Sequence, residues 1–225
     1  MKVLYSIPLL LSFLVLFSCG EPKAEEGEIV YAVEYPEAKD NFVLYSILPR
    51  EMTLTFKNGK MKTEIKRANF QNSMLIDCNE KKVSAYYQYS RDGFNVSLSD
   101  ADVKKMKADP SEYKIVLKDE EKEILGLTAK KAIATSKADP KDIIEIWYTE
   151  EIGLENSNWF HPFHEIPGVL LEYSIDRYGT RMEFKAKSFD KKKVSDADLK
   201  LLLSKKDKSY NEYNLKLNEL FKPFE

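Results

Sequence analysis

The sequence predicts a mainly antiparallel β fold of the β-rich α+β class, with a curved sheet of about ten strands and covering helices. Three observations carry this. Short apolar/polar alternations of strand length recur from residue 28 to residue 186. They are separated by turn residues such as Asn58-Gly59 and Tyr178-Gly179, not by long helical patterns, which disfavours a doubly wound parallel sheet. The composition is 12% aromatic, with 13 Tyr and 12 Phe but only 8 Gly, a mix suited to strands with one wet and one buried face.

The chain opens with a single Lys2 and a short apolar run, Ile7 to Phe17, that closes on Leu16-Phe17-Ser18-Cys19. An aliphatic residue three before a cysteine and a small residue one before it make a lipobox. Residues 1–18 are therefore expected to be a signal peptide, 19–27 a lipidated tether and 28–225 a single β-rich domain. The Cys19 thiol is the expected lipidation site. A transmembrane helix needs about 18 or more apolar residues, whereas this run is shorter and turns polar at once in Gly20 to Glu26. A plain signal peptide followed by a free cysteine fits the same general signature. Two or more lipid chains anchor stably, so a triacylated Cys19 would make the membrane a permanent partner. Gly20 in place of Asp argues against inner-membrane retention. The expected location is the cell envelope, at the outer membrane, with its periplasmic or surface-exposed side open.

From Glu28 to Tyr35 the residues Ile29, Tyr31, Val33 and Tyr35 share one face of a half-buried strand. Asp40 is placed to cap a short helix over Asn41–Leu48, stopped by Pro49. Met52–Phe56 and Met61–Ile65 flank Asn58-Gly59, the preferred turn of a tight hairpin. Ser73–Asp77 and Lys82–Gln88 make a second hairpin. Ser99 and Asp102 start a helix over Asp100–Ala108, ended by Asp109-Pro110. Strands are expected over Tyr113–Lys118, Lys122–Leu125, Ala129–Thr135 and Ile143–Thr149, the last placing Trp147 and Tyr148 on opposite faces. An aromatic loop, Asn158 to His164, precedes a final hairpin of Val169–Asp176 and Thr180–Ala186. Asp196–Leu203 and Tyr210–Phe221 read as helices. The apolar face of such a sheet needs a cover, either helices or a hydrophobic ligand.

With 35 basic and 37 acidic side chains the formal charge is −2, so no strong field of one sign exists and nucleic acid is not an expected partner. The only cysteine besides Cys19 is Cys78, in the apolar stretch Met74 to Cys78, where a buried structural thiol is expected.

The segment Ile124 to Asp196 resembles the GLPGLI family of secreted bacterial proteins. Ile124-Leu125-Gly126-Leu127-Thr128-Ala129-Lys130-Lys131-Ala132 is similar to its Ile-x-Gly-Tyr-x-Cys-x-Lys-Ala strand pair, and Trp147-Tyr148-Thr149-Glu150-Glu151-Ile152 to its Trp/Tyr-Tyr/Phe-Thr-x-Glu-Ile segment. Ile166-Pro167-Gly168-Val169-Leu170-Leu171 stands where the name-giving Gly-Leu-Pro-Gly-Leu-Ile would be, and Met182-Glu183-Phe184-Lys185-Ala186 is similar to the strand that follows. Glu165 departs from the motif's Gly, and Ala129 from its common Cys. The resemblance implies a fold similar to periplasmic lipoprotein carriers of the LolA/LolB type, a half-barrel of antiparallel strands closed by helices. It implies no established activity.

Candidate chemistry is sparse. His161, His164 and Glu165 form His-x-x-His-Glu, but zincin histidines stand four apart on a helix with Glu beside the first, and here Pro162 interrupts. No metal and no cofactor are expected. No Gly-x-Ser-x-Gly elbow and no phosphate-binding glycine loop occur, so the chain is not expected to be an enzyme. The runs Lys191–Lys193 and Lys205–Lys208 suit either anionic headgroups or plain solvation. Two function classes remain. One is an envelope lipoprotein that binds a hydrophobic ligand, an acyl chain or lipid, in a concave sheet, with Trp159, Phe160 and Phe163 as ligand-contact candidates at its mouth. The other is a structural or protein-interaction lipoprotein whose sheet is filled by its own helices.

Overall fold

The computed structural model describes residues 22–38, 45–46 and 48–221. The signal peptide, Cys19 and most of the expected helix over Asn41–Leu48 with its Asp40 cap lie outside them. Eleven strands form one antiparallel sheet. From the centre, β1 (Glu26–Glu34), β2 (Glu51–Lys57), β3 (Lys60–Arg67), β4 (Phe70–Asp77), β5 (Lys82–Tyr89) and β6 (Asp92–Ser97) meander to one edge. Helix α1 (Asp100–Lys107) then leads to the opposite edge. There β7 (Tyr113–Ile124), β8 (Leu127–Ser136), β9 (Ile143–Thr149), β10 (Val169–Arg177) and β11 (Thr180–Asp190) meander back until β11 pairs with β1. Helix α2 (Tyr210–Phe221) follows. The result is an open, curled half-barrel.

Local chemistry explains the turns. Asn58 and Gly59 have φ of 51° and 76°, the left-handed pair that a tight hairpin with the natural strand twist requires. Lys81 and the pair Tyr178-Gly179 also have positive φ at the expected turns. Ser99 and Asp102 cap α1 reciprocally, and Ser209 with Glu212 does the same for α2. The two segments expected as Tyr113–Lys118 and Lys122–Leu125 are one strand, β7, irregular between Leu117 and Glu121. Strand β6 is additional to the expected set.

Two boundaries differ from expectation. The stretch read as a tether reaches into the sheet: Ala24 donates its N–H to the Glu151 carbonyl, and β1 starts at Glu26, whose carboxylate accepts from Lys193 Nζ and the Val194 N–H. Asp196–Leu203, expected as a helix, is not one. Ser195 and Asp198 do form the capping bonds, but the chain then runs along the edge of β6. Asn95 Nδ2 donates to the Leu202 carbonyl, the Asn95 N–H to the Lys206 carbonyl, and the Lys208 N–H to the Asn95 carbonyl. Of its leucines Leu199 is buried but Leu202 and Leu203 are exposed, while the edge of β6 offers its unpaired backbone groups.

The concave face carries the core. On β1 to β6 the inward residues alternate with period two, including Ile29, Tyr31, Val33, Leu54, Phe56, Ile76, Ala85, Tyr87, Phe94 and Val96. Helix α2 lays Tyr210, Tyr213 and Leu217 against Phe70, Tyr87, Phe94 and Val96. On the other arm, Ala129, Ala132 and Ala134 of β8 are fully buried. The cover over Ala132 and Ala134 is the loop 150–168, which inserts Phe163 and Ile166 beside Tyr113. Cys78 is a buried free thiol, pushed up to about 12 by burial first and the nearby Asp77 charge second, so it stays protonated.

Candidate functional site

Between the two covers the concave face is incompletely filled. A cavity of about 160 Å³ lies over β1–β4, β10 and β11. Its floor is apolar, with Tyr31, Met52, Leu54, Met61 and Met74 from the first arm and Val169, Ile175, Met182 and Phe184 from the second. Helix α2 closes one side with Tyr213, Leu217 and Phe221. Phe221 stacks on Tyr178 at 5.6 Å and on Tyr35 at 6.4 Å between ring centroids.

The loop 150–168 forms another wall, and its rigidity has identifiable causes. Asn158 Nδ2 donates to the Ile166 and Gly168 carbonyls at 2.9 and 2.8 Å, and Ser157 Oγ donates to the Gly168 carbonyl at 2.7 Å. Gly168 has φ of +89°, and a β-carbon there would overlap the Thr149 carbonyl. Only glycine meets both demands.

The three ligand-contact candidates separate in space. Phe160 lines the cavity. Trp159 is half-buried beside it and lines a neighbouring surface cleft with Val103, Tyr113 and His164. Its indole N–H is buried without a hydrogen-bond acceptor. Phe163 is fully buried in the second arm's core, 5.1 Å from the Tyr113 ring. The two histidines also part company. His161 lines the cavity, whereas His164 is exposed at the cleft. Burial, with the Arg177 charge second, holds His161 far below the usual histidine range, so its ring is neutral. Among the described residues no group of three or more His, Cys, Asp or Glu is arranged to hold a metal ion, and no helix is long and apolar enough to cross a membrane. Several lysines of the basic runs pair with acids of the sheet: Lys192 with Glu28 at 2.8 Å, Lys193 with Glu26 at 2.7 Å and Lys206 with Asp92 at 3.1 Å.

Sequence reasoning did not single out Arg177, Tyr173 or the methionine floor as parts of a site. Tyr173 is visible only as a strand residue, and Arg177 falls in the turn expected after Asp176, whereas β10 runs through it. Met52, Met61 and Met74 lie on strands β2, β3 and β4, so what they enclose depends on the register of all three pairings.

Comparison with known proteins supports the architecture. No family model matches the chain, and no curated protein matches it significantly; the GLPGLI resemblance therefore rests on the quoted motifs alone. The chain superposes on the solved structures of PNGF-II in two crystal forms, with TM-scores of 0.54 and 0.56 at 19% and 17% identity. The alignments cover 86% of this chain but only 33% of PNGF-II, so the chain spans about a third of that protein's length. At this identity the likeness is one of fold. An outer membrane lipoprotein-sorting protein domain from Vibrio parahaemolyticus aligns with a TM-score of 0.20 at 8% identity over 77% of this chain and 88% of the other. A DUF1329 family protein from Desulfovibrio piger gives 0.21 at 10% identity over 78% and 88%. These are weak neighbours.

Proposed function

We propose that this chain is a non-catalytic envelope lipoprotein, held to a membrane by lipid on Cys19, that takes an apolar ligand into the concave face of its sheet. The observation that carries this reading is the unfilled apolar space of about 160 Å³ beside Tyr31, Met52, Met61, Met74 and Phe160. Close-packed interiors leave few voids larger than a water molecule, and a dry apolar cavity of about 150 Å³ accepts a molecule the size of benzene. The space as it stands suits a short acyl or branched apolar group, and a long chain requires α2 to withdraw. Methionine side chains are unbranched and adaptable, so the floor can follow ligands of different shape. Two of the cavity's polar groups are held in hydrogen bonds: Tyr31 donates to the Leu170 carbonyl at 2.8 Å and Tyr213 to Asn72 Oδ1 at 2.9 Å.

The test is a titration of the Trp147→Phe protein, which keeps Trp159 beside the cavity wall, with short fatty acids. A saturable change in emission and a rise in melting temperature are expected. A second reading, an interaction lipoprotein with a self-filled sheet, is favoured by the insertion of Tyr213, Leu217 and Phe221 of α2. It takes over if fatty acids, phospholipids and acylated peptides all fail to produce a saturable change. The anchor is tested separately. Cys19→Ala should release the protein from the membrane fraction, and fatty-acid labelling that persists in this variant would overturn the lipid assignment.

A further inference from the structure

The cavity is not uniformly apolar. On β10, residues at even spacing share a face, so Tyr173, Ile175 and Arg177 all line the concave side. His161 from the loop stands edge-on to Tyr173, with 5.8 Å between ring centroids. Three donors line this part of the cavity, and each has unused capacity.

Arg177 is the most telling. Its Nη2 donates to the Met106 and Asp109 carbonyls at 2.8 and 3.2 Å, tying β10 to the C-terminal end of α1. Its Nε–H is buried and has no hydrogen-bond acceptor. The nearest acid, Asp109 Oδ2, lies 3.9 Å from Nε, too far for a hydrogen bond, and the Asp109 side chain is half exposed. A buried guanidinium normally has its fork filled. His161 Nδ1 accepts the Phe163 N–H at 3.3 Å, which puts the proton of the neutral ring on Nε2, as a donor. The Tyr173 hydroxyl makes no hydrogen bond among the described residues, and its ring is fixed by stacking on Phe184 at 4.7 Å. Arg177 and Tyr178 also line an open surface cleft with Glu37, Asp109, Asp176 and Arg181. They are thus the wall between the cavity and solvent, where the head of an amphipathic ligand would sit.

We infer that the end of the cavity at Arg177, Tyr173 and His161 recognises a carboxylate, so that the ligand class is an apolar chain bearing an acid head. The inference rests on the apolar-ligand reading above and narrows it. An acid head supplies acceptor lone pairs to donors with unused capacity, beside an Arg177 charge whose nearest acid, the half-exposed Asp109, stands 3.9 Å from Nε. A neutral head such as an alcohol satisfies fewer donors and forms weaker hydrogen bonds with them.

The two claims come apart in one comparison, octanoate against octanol, which share an alkyl chain. Affinities are read by calorimetry and by Trp159 emission in the full chain. Octanoate is expected to bind at least about tenfold more tightly than octanol, since hydrogen bonds to charged groups are worth about 1.5–3 kcal/mol. Arg177→Met should remove that preference, read as the ratio of octanoate to octanol affinity within the variant. Tyr173→Phe, which keeps the ring stack, should reduce the preference part-way and serves if Arg177→Met fails to fold. Equal affinities for the two ligands would overturn the carboxylate inference while the apolar cavity stands. Binding of neither would overturn both. An acid preference that survives in both variants would place the head elsewhere and also overturn the inference.

Discussion

The two arms of the sheet solve the same problem in opposite ways. On β8 the concave residues are small, Ala132 and Ala134, and the cover over them is a loop that inserts Phe163 and Ile166. On β1 to β4 the concave residues are long, Tyr31, Met52, Met61 and Met74, and the cover is a helix. A loop can follow a surface residue by residue and leave it closed. A helix is a rod whose one buried stripe meets a curved sheet along a strip. Helix α2 seals the strands near β6, where Tyr213 and Leu217 meet Phe94 and Val96, and the sheet curls away from it toward β10. The empty space lies where the rod's contact ends and the loop has not begun. What distinguishes the arms is the shape of the cover more than the apolarity of the floor.

The largest expected effect comes from breaking the closed arm. Phe163→Ala should cost about 3–5 kcal/mol, the range for removing a fully buried aromatic ring. Phe160→Ala, on a half-buried ring beside existing empty space, should cost clearly less. Chemical denaturation of both variants checks this, and equal losses would mean that the two arms are packed alike. The seam between the arms is sharpened by Gly168→Ala. The added methyl meets the Thr149 carbonyl in a backbone conformation of φ +89°, and the cost should be about 1–3 kcal/mol. An unchanged melting temperature would show that the loop can shift as a body, contrary to the tight anchoring by Ser157 and Asn158.

The difference between the arms also marks how far the sequence could be read. Features set by neighbours along the chain were legible: the Asn58-Gly59 turn, the Ser99/Asp102 cap, and β9 with Trp147 and Tyr148 on opposite faces. Strand β6 was not, because it is short and offers only Phe94 and Val96 as apolar inward residues among Asp92, Gly93, Asn95 and Ser97. Asp196–Leu203 carries a helical start and leucines, but its conformation is decided by Asn95, about a hundred positions away. Of the candidate site, Phe160 was legible as an aromatic before a turn. The floor was not, since Tyr31 meets the Leu170 carbonyl across 139 positions. The volume of a cavity depends on the cover that fails to fill it, and no local pattern records that.

A pH-dependent effect separates the loop from the helix as covers. His161 is neutral in the folded protein because burial, then Arg177, lowers its proton affinity, while in the unfolded chain it titrates near its ordinary value of about 6.5. Below that value the unfolded state binds a proton that the folded state does not, so stability falls as pH falls. Between pH 6.5 and 5.5 the loss should be about 1 kcal/mol. His164 is lowered in the same direction by burial, then Lys107, but it is exposed and adds less. Urea unfolding of wild type and His161→Gln at the two pH values measures the term. An equal slope in both proteins would show that the loop wall opens enough to hydrate the imidazole.

The smallest effect has the opposite sign and tests the comparison most directly. Thr63 of β3 is half-buried and lines the cavity, so Thr63→Leu adds apolar atoms where space exists and removes a hydroxyl from an apolar wall. It should be neutral or stabilising by up to about 1 kcal/mol, of the order of one buried methylene, and should weaken octanoate binding by occupying its place. Ala134→Leu adds a larger side chain to the closed arm, where no room exists beside Phe163, and should cost about 1–3 kcal/mol through overpacking. Only unequal packing makes enlargement harmless on one strand and damaging on another within a single sheet. If both enlargements destabilise alike, α2 already presses on Thr63 and the space is too shallow to hold a ligand. If Thr63→Leu stabilises and binding is lost together, the space left beside α2 is the site.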